Sequence, residues 1–272
     1  MPDRVPVFVE RRGEIRIITI DRPEARNAVN PAMADALFRA FIAFDRDESA
    51  KVAILAGVSG AFCAGFDLKA AAGGMDETWH AEHHLDASFD GVDDQPRKGP
   101  MGPTRLTLSK PVIAAISGPA VAGGMELALW CDLRVMERSA YMGVYCRRWG
   151  VPLIDGGTVR LPRIVGHGRA MDLILTGRQV EAEECLAIGL ANRLCEDGSA
   201  LEAALDLAGQ LARFPQACMR ADRLSALAQW SLDVPQALGN EWKSAETFRS
   251  EGGAGAARFA SGKGRSGNFS DI

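Results

Sequence analysis

The chain has 272 residues, of which 47% are hydrophobic and 24% are charged, and its formal net charge is −4. This balance is typical of a folded globular protein and argues against a disordered, collagen-like or coiled-coil chain and against a basic field that attracts nucleic acid. No run of about 18 apolar residues occurs, and Asp3, Arg4 and Glu10 interrupt the N-terminus, so we predict neither a membrane span nor a signal peptide. The six cysteines show no zinc-binding spacing, which favours reduced thiols in the cytoplasm.

Strand and helix patterns alternate through the first half of the chain. Asn30 followed by Pro31 is typical of a helix start, with Asn as the N-cap and Pro at the first helical position. Buried strands are followed by Gly-containing turns and then by helices, which predicts βαβ units and a mixed or parallel sheet. The predicted strands are 5–10, 15–20, 52–56, 111–116 and 133–136, and the predicted helices are 30–47 and 123–130.

The rest of the chain differs in character. Residues 73–103 are rich in Gly and Pro, which predicts a mobile region with one short helix at about 76–90. Strand patterns end toward the C-terminus, where a frayed tail is expected at 261–272. The helices predicted before that tail are 200–213, 216–230, 234–249 and 252–260. We therefore predict an α/β core at 1–199 and a helical subdomain at 200–272.

Two Gly-rich turns share one design. Ala61–Asp67 and Ser117–Glu126 each follow a buried strand, turn through Gly and begin a helix. The first N–H groups of a helix have no partner within it, and the helix dipole there favours negative charge. Two such turns can aim two N–H donors at one oxygen, as in an oxyanion hole. Taken alone, each turn is more often an ordinary chain reversal.

Several motifs occur in a characteristic order along the chain. They are Asp21–Ala28 (DRPEARNA), Phe62–Leu68 (FCAGFDL), Ala114–Ala128 (AAISGPAVAGGMELA), Cys131–Arg134 (CDLR), Gly156–Arg163 (GGTVRLPR), Leu175–Arg178 (LTGR) and Ala187–Asn192 (AIGLAN). Over residues 5–260 the chain closely resembles the enoyl-CoA hydratase/isomerase family, also called the crotonase family. No P-loop or clean dinucleotide-binding fingerprint is present, which disfavours a nucleotide-binding enzyme.

The resemblance implies an α/β spiral of stacked β-β-α turns with a C-terminal helical subdomain that mediates trimer formation, and such trimers often pair into hexamers. It implies an acyl-coenzyme A substrate, in which coenzyme A is part of the substrate and no separate cofactor is needed. It places the two oxyanion donors at the N–H groups of Ala64 and Gly123. The residues that it implies along the substrate are Ala25, Arg26, Ala28, Gly65, Phe66, Asp67, Leu68 and Cys146, with Phe259 and Lys263 as looser contacts from a neighbouring subunit.

The acid and base residues decide which reaction follows the oxyanion. Glu126 matches one of the two catalytic glutamates of typical hydratases in the family, although a Glu at a helix start also pairs with the helix dipole. Cys146 occupies the position of the second glutamate. It is either a small apolar filler or, if neighbouring arginines lower its pKa, an acid or nucleophile. Asp155 lies in a loop that lines the acyl end of the pocket in the family, and it is either a substitute acid/base or a helix N-cap.

Two other groups allow more than one interpretation. His80, His83 and His84 do not form a metal-binding motif, so we expect a solvated helix face and no metal, with one histidine able to reach the acyl pocket. A modest concentration of arginines can pair either with coenzyme A phosphates or with acidic neighbours. These arginines are Arg147, Arg148, Arg160, Arg163 and Arg169.

The sequence thus predicts a lyase of fatty acid metabolism that adds water to a 2-enoyl-CoA through a thioester enolate. Other reactions of the family remain open, namely isomerisation, thioester hydrolysis and C–C bond hydrolysis with Glu126 and Asp155. An acyl-CoA-binding protein without activity is the third alternative.

Overall fold

The computed structural model describes residues 6–72, 75–86 and 97–264. Predictions for 1–5, 73–74, 87–96 and 265–272 lie outside the described residues. They include the start of the first predicted strand and parts of the mobile region and of the tail. The strands are β1 (Val7–Arg12), β2 (Ile15–Ile20), β3 (Val52–Gly57), β4 (Val112–Ile116), β5 (Pro119–Val121), β6 (Leu133–Glu137), β7 (Tyr141–Gly143), β8 (Gln179–Glu181) and β9 (Arg193–Cys195). The helices up to β9 are α1 (Pro31–Arg46), α2 (Leu68–Ala72), α3 (Glu77–His83), α4 (Gly123–Trp130), α5 (Gly157–Val165), α6 (His167–Thr176) and α7 (Ala182–Ala187).

Six strands form the larger sheet, in the order β1-β2-β3-β4-β6-β9. β1 and β2 are antiparallel, and the remaining neighbours are parallel. β3 and β4 are buried along nearly their whole length, as expected of parallel strands that are covered on both faces. The prediction of a mixed or parallel sheet is confirmed.

The smaller sheet, in the order β5-β7-β8, produces the spiral. The chain passes from β4 in the larger sheet to β5 in the smaller one and then into α4. It repeats this course through β6, β7 and α5. The first turn of the spiral has no second strand among the described residues. Instead, an isolated bridge pairs Cys63 with Ala120, so the segment between β3 and α2 lies beside β5. The predicted spiral of β-β-α turns is confirmed, and it stacks the two Gly-rich turns in neighbouring layers.

Local sequence explains why α1 forms where it does. The Asn30 side chain accepts a hydrogen bond from the Met33 N–H at 2.9 Å, and Pro31 occupies the first helical position, as predicted. Met33, Leu37 and Phe41 are fully or almost fully buried in the hydrophobic core. The helical spacing of these apolar residues therefore marks the face that packs on the sheet.

Several short strands escaped the sequence patterns. β5, β7, β8 and β9 have three residues each, which is too short for an alternating pattern to be detected. The predicted helix at 76–90 is shorter in the structure, where α3 ends at His83 and residues 84–86 are not helical. The missed strands matter for function, since β5 and β7 hold the second Gly-rich turn.

The C-terminal part is helical, as predicted. The helices are α8 (Ala200–Arg213), α9 (Gln216–Ala228), α10 (Val234–Lys243), α11 (Ala245–Thr247) and α12 (Gly253–Ala260), with a π-helical turn at Phe248–Gly252. The chain divides into two compact units, Met1–Ala208 and Gly209–Ile272, so the division falls inside α8. In the described parts of the chain, no helix has the length and apolar character needed to cross a membrane.

Candidate active site

Backbone hydrogen bonds hold the two Gly-rich turns side by side. The N–H groups of Phe62 and Cys63 both donate to the Pro119 carbonyl oxygen at 3.1 Å. The Val121 N–H donates back to the Cys63 carbonyl oxygen, also at 3.1 Å. The two turns therefore lie next to each other, and each is followed by a helix.

The second turn presents the N–H of Gly123. Ala122 has φ 52° and ψ −125°, a conformation that is strained for a residue with a side chain. Its N–H donates to the Gly143 carbonyl oxygen at 2.9 Å, which fixes the turn against β7. Gly123 is the first residue of α4, and its N–H has no hydrogen-bond partner among the described residues. The geometry is consistent with the predicted role of Gly123 as a donor.

In the first turn, the N–H of Ala64 is not the free donor that the sequence predicts. The Ala64 N–H donates to the Arg26 carbonyl oxygen at 3.0 Å, so it is not available to a ligand and its assignment as an oxyanion donor is wrong. The Phe66 N–H, by contrast, makes no hydrogen bond within the described structure. Gly65 has φ 99°, and a methyl group on its Cα would lie 3.0 Å from the Gly123 nitrogen. The free donor of this turn is therefore Phe66, directly after the glycine that approaches Gly123.

A buried asparagine explains the shape of the first turn. The Asn27 side chain is fully buried, and its amide donates to the carbonyl oxygens of Val58 at 3.0 Å and Ala61 at 2.7 Å. Its side-chain oxygen accepts the Arg22 N–H at 2.9 Å. Asn27 thereby ties the segment that carries the Arg26 carbonyl to the loop before Ala64. No local motif in the sequence signals this contact.

Asp67 is committed to the fold of the same region. Its carboxylate pairs with Arg22 at 2.6 Å and accepts the N–H groups of Lys69 at 2.9 Å and Ala70 at 3.3 Å. Burial opposes ionisation, but these donors outweigh it and lower the pKa of Asp67. The side chain caps α2, and its contact with substrate stays a prediction.

Glu126 lies on the first turn of α4, and only 3% of it is exposed. Its Oε1 accepts the N–H groups of Asp155 at 2.9 Å and Gly157 at 2.8 Å. Oε2 has no partner among the described residues and is not sealed from solvent. One oxygen thus orients the carboxyl group, and the other is free for chemistry.

Asp155 repeats this arrangement. Its Oδ1 accepts the Met101 N–H at 2.9 Å and a short hydrogen bond from the Thr104 hydroxyl, while Oδ2 has no partner in the described parts of the chain. The helix that follows, α5, has Gly156 as its N-cap and receives no side-chain capping bond. The interpretation of Asp155 as a helix N-cap is therefore wrong. Its carboxyl group instead anchors the segment at 99–105.

Both carboxyl groups have raised pKa values. Burial is the main cause that raises the pKa of Glu126 from 4.5 to about 8, and the negative charge of Asp155 adds to the rise. Burial also raises the pKa of Asp155, against the opposing effects of its hydrogen bonds and of Arg105. Paired carboxyl groups with raised pKa values are typical of acid/base sites, because a proton can be held and released near neutral pH.

Cys146 lies near this pair as a neutral thiol. Burial, and then the charge of Glu126, raises its pKa. The alternative in which neighbouring arginines create a reactive thiolate is therefore wrong. A buried, protonated thiol fits the interpretation of Cys146 as a small apolar filler.

Helix α3 contributes one buried histidine. His83 is 8% exposed, and its ring stacks on Trp79 with ring centroids 4.4 Å apart. Trp79 in turn meets the Phe66 ring edge-on at 6.1 Å. His80 and His84 are exposed. No group of three or more His, Cys, Asp or Glu residues in the described ranges is placed to hold a metal ion.

The remaining residues predicted along the substrate come before or directly after the first turn in the sequence. Arg26 and Leu68 are exposed, whereas Ala25 and Ala28 are partly buried. Sequence patterns did not identify Met101, Thr104 or Asn27 as parts of the site. They are brought there by contacts between distant segments.

Known proteins resemble this chain in sequence and fold. The sequence model of the enoyl-CoA hydratase/isomerase family matches residues 10–260. Enoyl-CoA hydratase EchA19 of Mycobacterium tuberculosis is 38% identical over 208 residues, covering 74% of this chain and 72% of that protein. A carnitinyl-CoA dehydratase of Salmonella arizonae is 38% identical over 206 residues, covering 74% and 72%. The crystal structure of enoyl-CoA hydratase EchA1 from Mycobacterium marinum matches with a TM-score of 0.82 at 35% identity, covering 95% of this chain and 96% of that one.

Proposed function

The chain belongs to the enoyl-CoA hydratase/isomerase family, and we propose that it catalyses the addition of water to the double bond of a 2-enoyl-CoA. The observation that carries this proposal is the pair of buried carboxyl groups of Glu126 and Asp155, each with one anchored and one free oxygen. The pair lies beside the unpartnered N–H of Gly123, because Glu126 is on the first turn of the helix that Gly123 begins.

The N–H groups of Phe66 and Gly123 are the proposed donors to the thioester oxygen. Attack of water on C3 of the enoyl group moves electrons onto that oxygen, and two fixed donors stabilise the resulting enolate. Loss of one such donor typically lowers kcat by about 10²–10³-fold. Ala64 has no part in this arrangement, since its N–H is bonded to Arg26.

The carboxyl pair then supplies the proton transfers. One ionised carboxyl group takes a proton from the attacking water, whose oxygen bonds to C3. The protonated partner gives its proton to C2 as the enolate collapses. The pair begins and ends with one proton, so water is added and nothing else is consumed. The raised pKa of Glu126, about 8, lets it hold the donated proton at neutral pH.

The test is hydration of crotonyl-CoA, followed by the loss of enoyl absorbance, with a panel of longer 2-enoyl-CoA substrates alongside. We expect turnover by the wild-type protein and losses of at least about 10²-fold for Glu126→Gln and Asp155→Asn. Unchanged activity in Asp155→Asn would remove Asp155 from the pair. No turnover with any chain length would contradict hydration.

Product analysis by mass spectrometry separates hydration from the other reactions of the family. Hydration adds the mass of water to the acyl-CoA, isomerisation leaves the mass unchanged, and hydrolysis releases free coenzyme A. The relative named as a carnitinyl-CoA dehydratase removes water, and a carboxyl pair can run the same step in either direction. Binding of acyl-CoA with no product would favour a protein without activity.

We also propose that the protein is cytoplasmic and forms homotrimers or pairs of trimers. The six cysteines, all unpaired, are compatible with a reducing compartment. Large apolar side chains are exposed on the C-terminal helices, where an oligomer interface would cover them. They are Trp230 (53% exposed), Val234 (72%), Leu238 (59%), Trp242 (78%) and Phe259 (61%). Sedimentation equilibrium tests this assembly, and a monomeric mass at micromolar concentration would contradict it.

A further inference from the structure

Arg160 binds main-chain carbonyl oxygens beside the carboxyl pair. It lies on the first turn of α5, and its guanidinium donates from Nη1 to the Asp155 carbonyl oxygen at 2.9 Å and from Nη2 to the Thr104 carbonyl oxygen at 2.6 Å. Among the described residues it forms no ion pair with a carboxylate. One partly buried cation thus binds the backbone of two segments, and no carboxylate in the described parts of the chain contacts it directly.

The segments around Thr104 and Asp155, which Arg160 binds, also orient the two carboxyl groups. The Thr104 hydroxyl donates to Asp155 Oδ1, and the Asp155 N–H donates to Glu126 Oε1 at 2.9 Å. With the two bonds from Arg160, these contacts link Arg160, Thr104, Asp155 and Glu126 into one chain of hydrogen bonds. Displacement of the guanidinium would release donors to both carboxyl groups at once.

Gly156 leaves room for this guanidinium. Its φ is 93°, and a Cβ at this position would lie 2.1 Å from Arg160 Nη1. A side chain here would have to displace the guanidinium or suffer strain. The backbone of the loop is therefore shaped to accept Arg160 beside the Asp155 carbonyl.

We propose that Arg160 is a positioning residue that holds the carboxyl pair in its reactive geometry and, through its positive charge, favours the ionised form of one of the two groups. This inference rests on the proposed function, in which the pair must contain one proton donor and one acceptor. A cation beside two carboxyl groups favours the ionised form of each. Without it, the pair would stay doubly protonated to a higher pH, and no base would be present.

Other titratable and charged groups around the pair do not replace Arg160. The Arg105 guanidinium, which is partly exposed, acts on Asp155 and donates to the His83 carbonyl oxygen at 2.8 Å. Burial lowers the pKa of His83, so its ring is neutral at neutral pH. Cys146 is a neutral thiol, because burial raises its pKa. Arg160 is therefore the cation that acts on both carboxyl groups.

The test compares the pH dependence of kcat/KM in Arg160→Met and Arg160→Lys. Arg160→Met removes the charge, so we expect the acidic limb of the profile to move to higher pH by roughly one unit or more. Arg160→Lys keeps the charge but loses the planar fork, so we expect a lower kcat with the limb near its wild-type position. Arg39→Met, which removes a cation whose side chain is 71% exposed on α1, should leave the profile in place.

Two results would overturn the inference. A wild-type profile in Arg160→Met would show that the charge has no effect on the pair. An equal shift in Arg160→Met and Arg160→Lys would show that only the shape of the loop matters. Should Arg160→Met not fold, Arg160→Gln removes the charge while keeping an N–H donor and gives the same comparison.

A second readout does not depend on turnover. Difference infrared spectroscopy of the ligand-free protein follows the carbonyl stretch of protonated carboxyl groups as the pH rises, and Glu126→Gln identifies the contribution of Glu126. We expect that contribution to persist to higher pH in Arg160→Met than in the wild type. An identical titration contradicts the role of Arg160. A shifted titration in a protein that hydrates no enoyl-CoA contradicts the proposed reaction and leaves the role of Arg160 standing.

Discussion

The two Gly-rich turns present an N–H by different means. In the second turn the proposed donor, Gly123, begins an eight-residue helix, and the strained Ala122 before it sets the direction of the N–H. In the first turn the proposed donor, Phe66, precedes a helix of five residues, and contacts with the segment around Asn27 set its position. The position of the Gly123 N–H is set by residues next to it in the sequence. The position of the Phe66 N–H is set by residues that are distant in the sequence.

This difference explains which parts of the site the sequence could predict. Helix α4, its start at Gly123 and the place of Glu126 follow from a local pattern, and the structure agrees with it. The sequence does not exclude Ala64 as a donor, because the partner of its N–H, the carbonyl of Arg26, belongs to another segment. Motif comparison identifies the turn, but only the hydrogen bonds identify which N–H of the turn is free.

The surroundings of Asp155 show the same limit. Its partners Met101 and Thr104 are 54 and 51 residues away in the sequence. Arg160 was recognised only as one of several arginines, because its contact with the Thr104 carbonyl spans 56 residues. Short strands such as β7, which fixes Ala122, have no pattern of their own. Residue type suggested candidates, and tertiary contacts decided their roles.

The largest expected effect comes from closing the space between the two turns. In Gly65→Ala a methyl group would lie 3.0 Å from the Gly123 nitrogen, where the thioester oxygen is proposed to bind. We expect kcat/KM to fall by about 10²–10³-fold, as for the loss of an oxyanion donor. Gly60→Ala is the matched control, since Gly60 also has a positive φ, 68°, but open space around it. Similar losses of activity in both variants would mean that backbone strain, not blockage of the site, is the cause.

The first turn should be selectively sensitive at Asn27. Asn27→Asp keeps the acceptor for the Arg22 N–H but turns a carboxylate oxygen toward the carbonyls of Val58 and Ala61. We expect the free energy of unfolding to fall by about 2 kcal/mol or more, measured by urea denaturation. Asn30→Asp, at the N-cap of α1, should be nearly neutral because Asp caps helices as well as Asn does. Equal effects of the two changes would refute the role given to Asn27.

The carboxylates of the two turns should give opposite pH dependences of stability. The raised pKa of Glu126 means that the folded protein binds the proton more tightly than the unfolded one, so stability should fall as pH rises from 4.5 toward 8. The lowered pKa of Asp67 means that its contribution is present above pH 3.8 and is lost as pH falls through the folded value. Unfolding curves across this range should show a weaker alkaline slope in Glu126→Gln and a weaker acidic slope in Asp67→Asn. Neither slope should vanish, since Asp155 has a raised pKa and Asp47 a lowered one as well. An unchanged alkaline slope in Glu126→Gln would refute the raised pKa.

The smallest expected effect is at Ala122, in the second turn. Glycine adopts φ 52° and ψ −125° without the strain that a side chain causes, so Ala122→Gly should raise the free energy of unfolding by about 1 kcal/mol or less. We expect kcat to fall several-fold at the same time, because a more flexible residue holds the Gly123 N–H less firmly. Thermal denaturation and steady-state kinetics check the two parts. A gain in both stability and activity would show that the strain does not serve the site.

We propose that the N–H groups of Phe66 and Gly123 bind one thioester oxygen. Isotope-edited infrared spectroscopy of butyryl-CoA labelled with ¹³C at the thioester carbonyl tests it directly, since hydrogen bonds to a carbonyl lower its stretching frequency. We predict a shift to lower frequency when the wild-type protein binds the labelled thioester, and a much smaller shift with Gly65→Ala. A bound thioester with the frequency that it has in water, or an equal shift in Gly65→Ala, would contradict the binding of its oxygen by these two N–H groups.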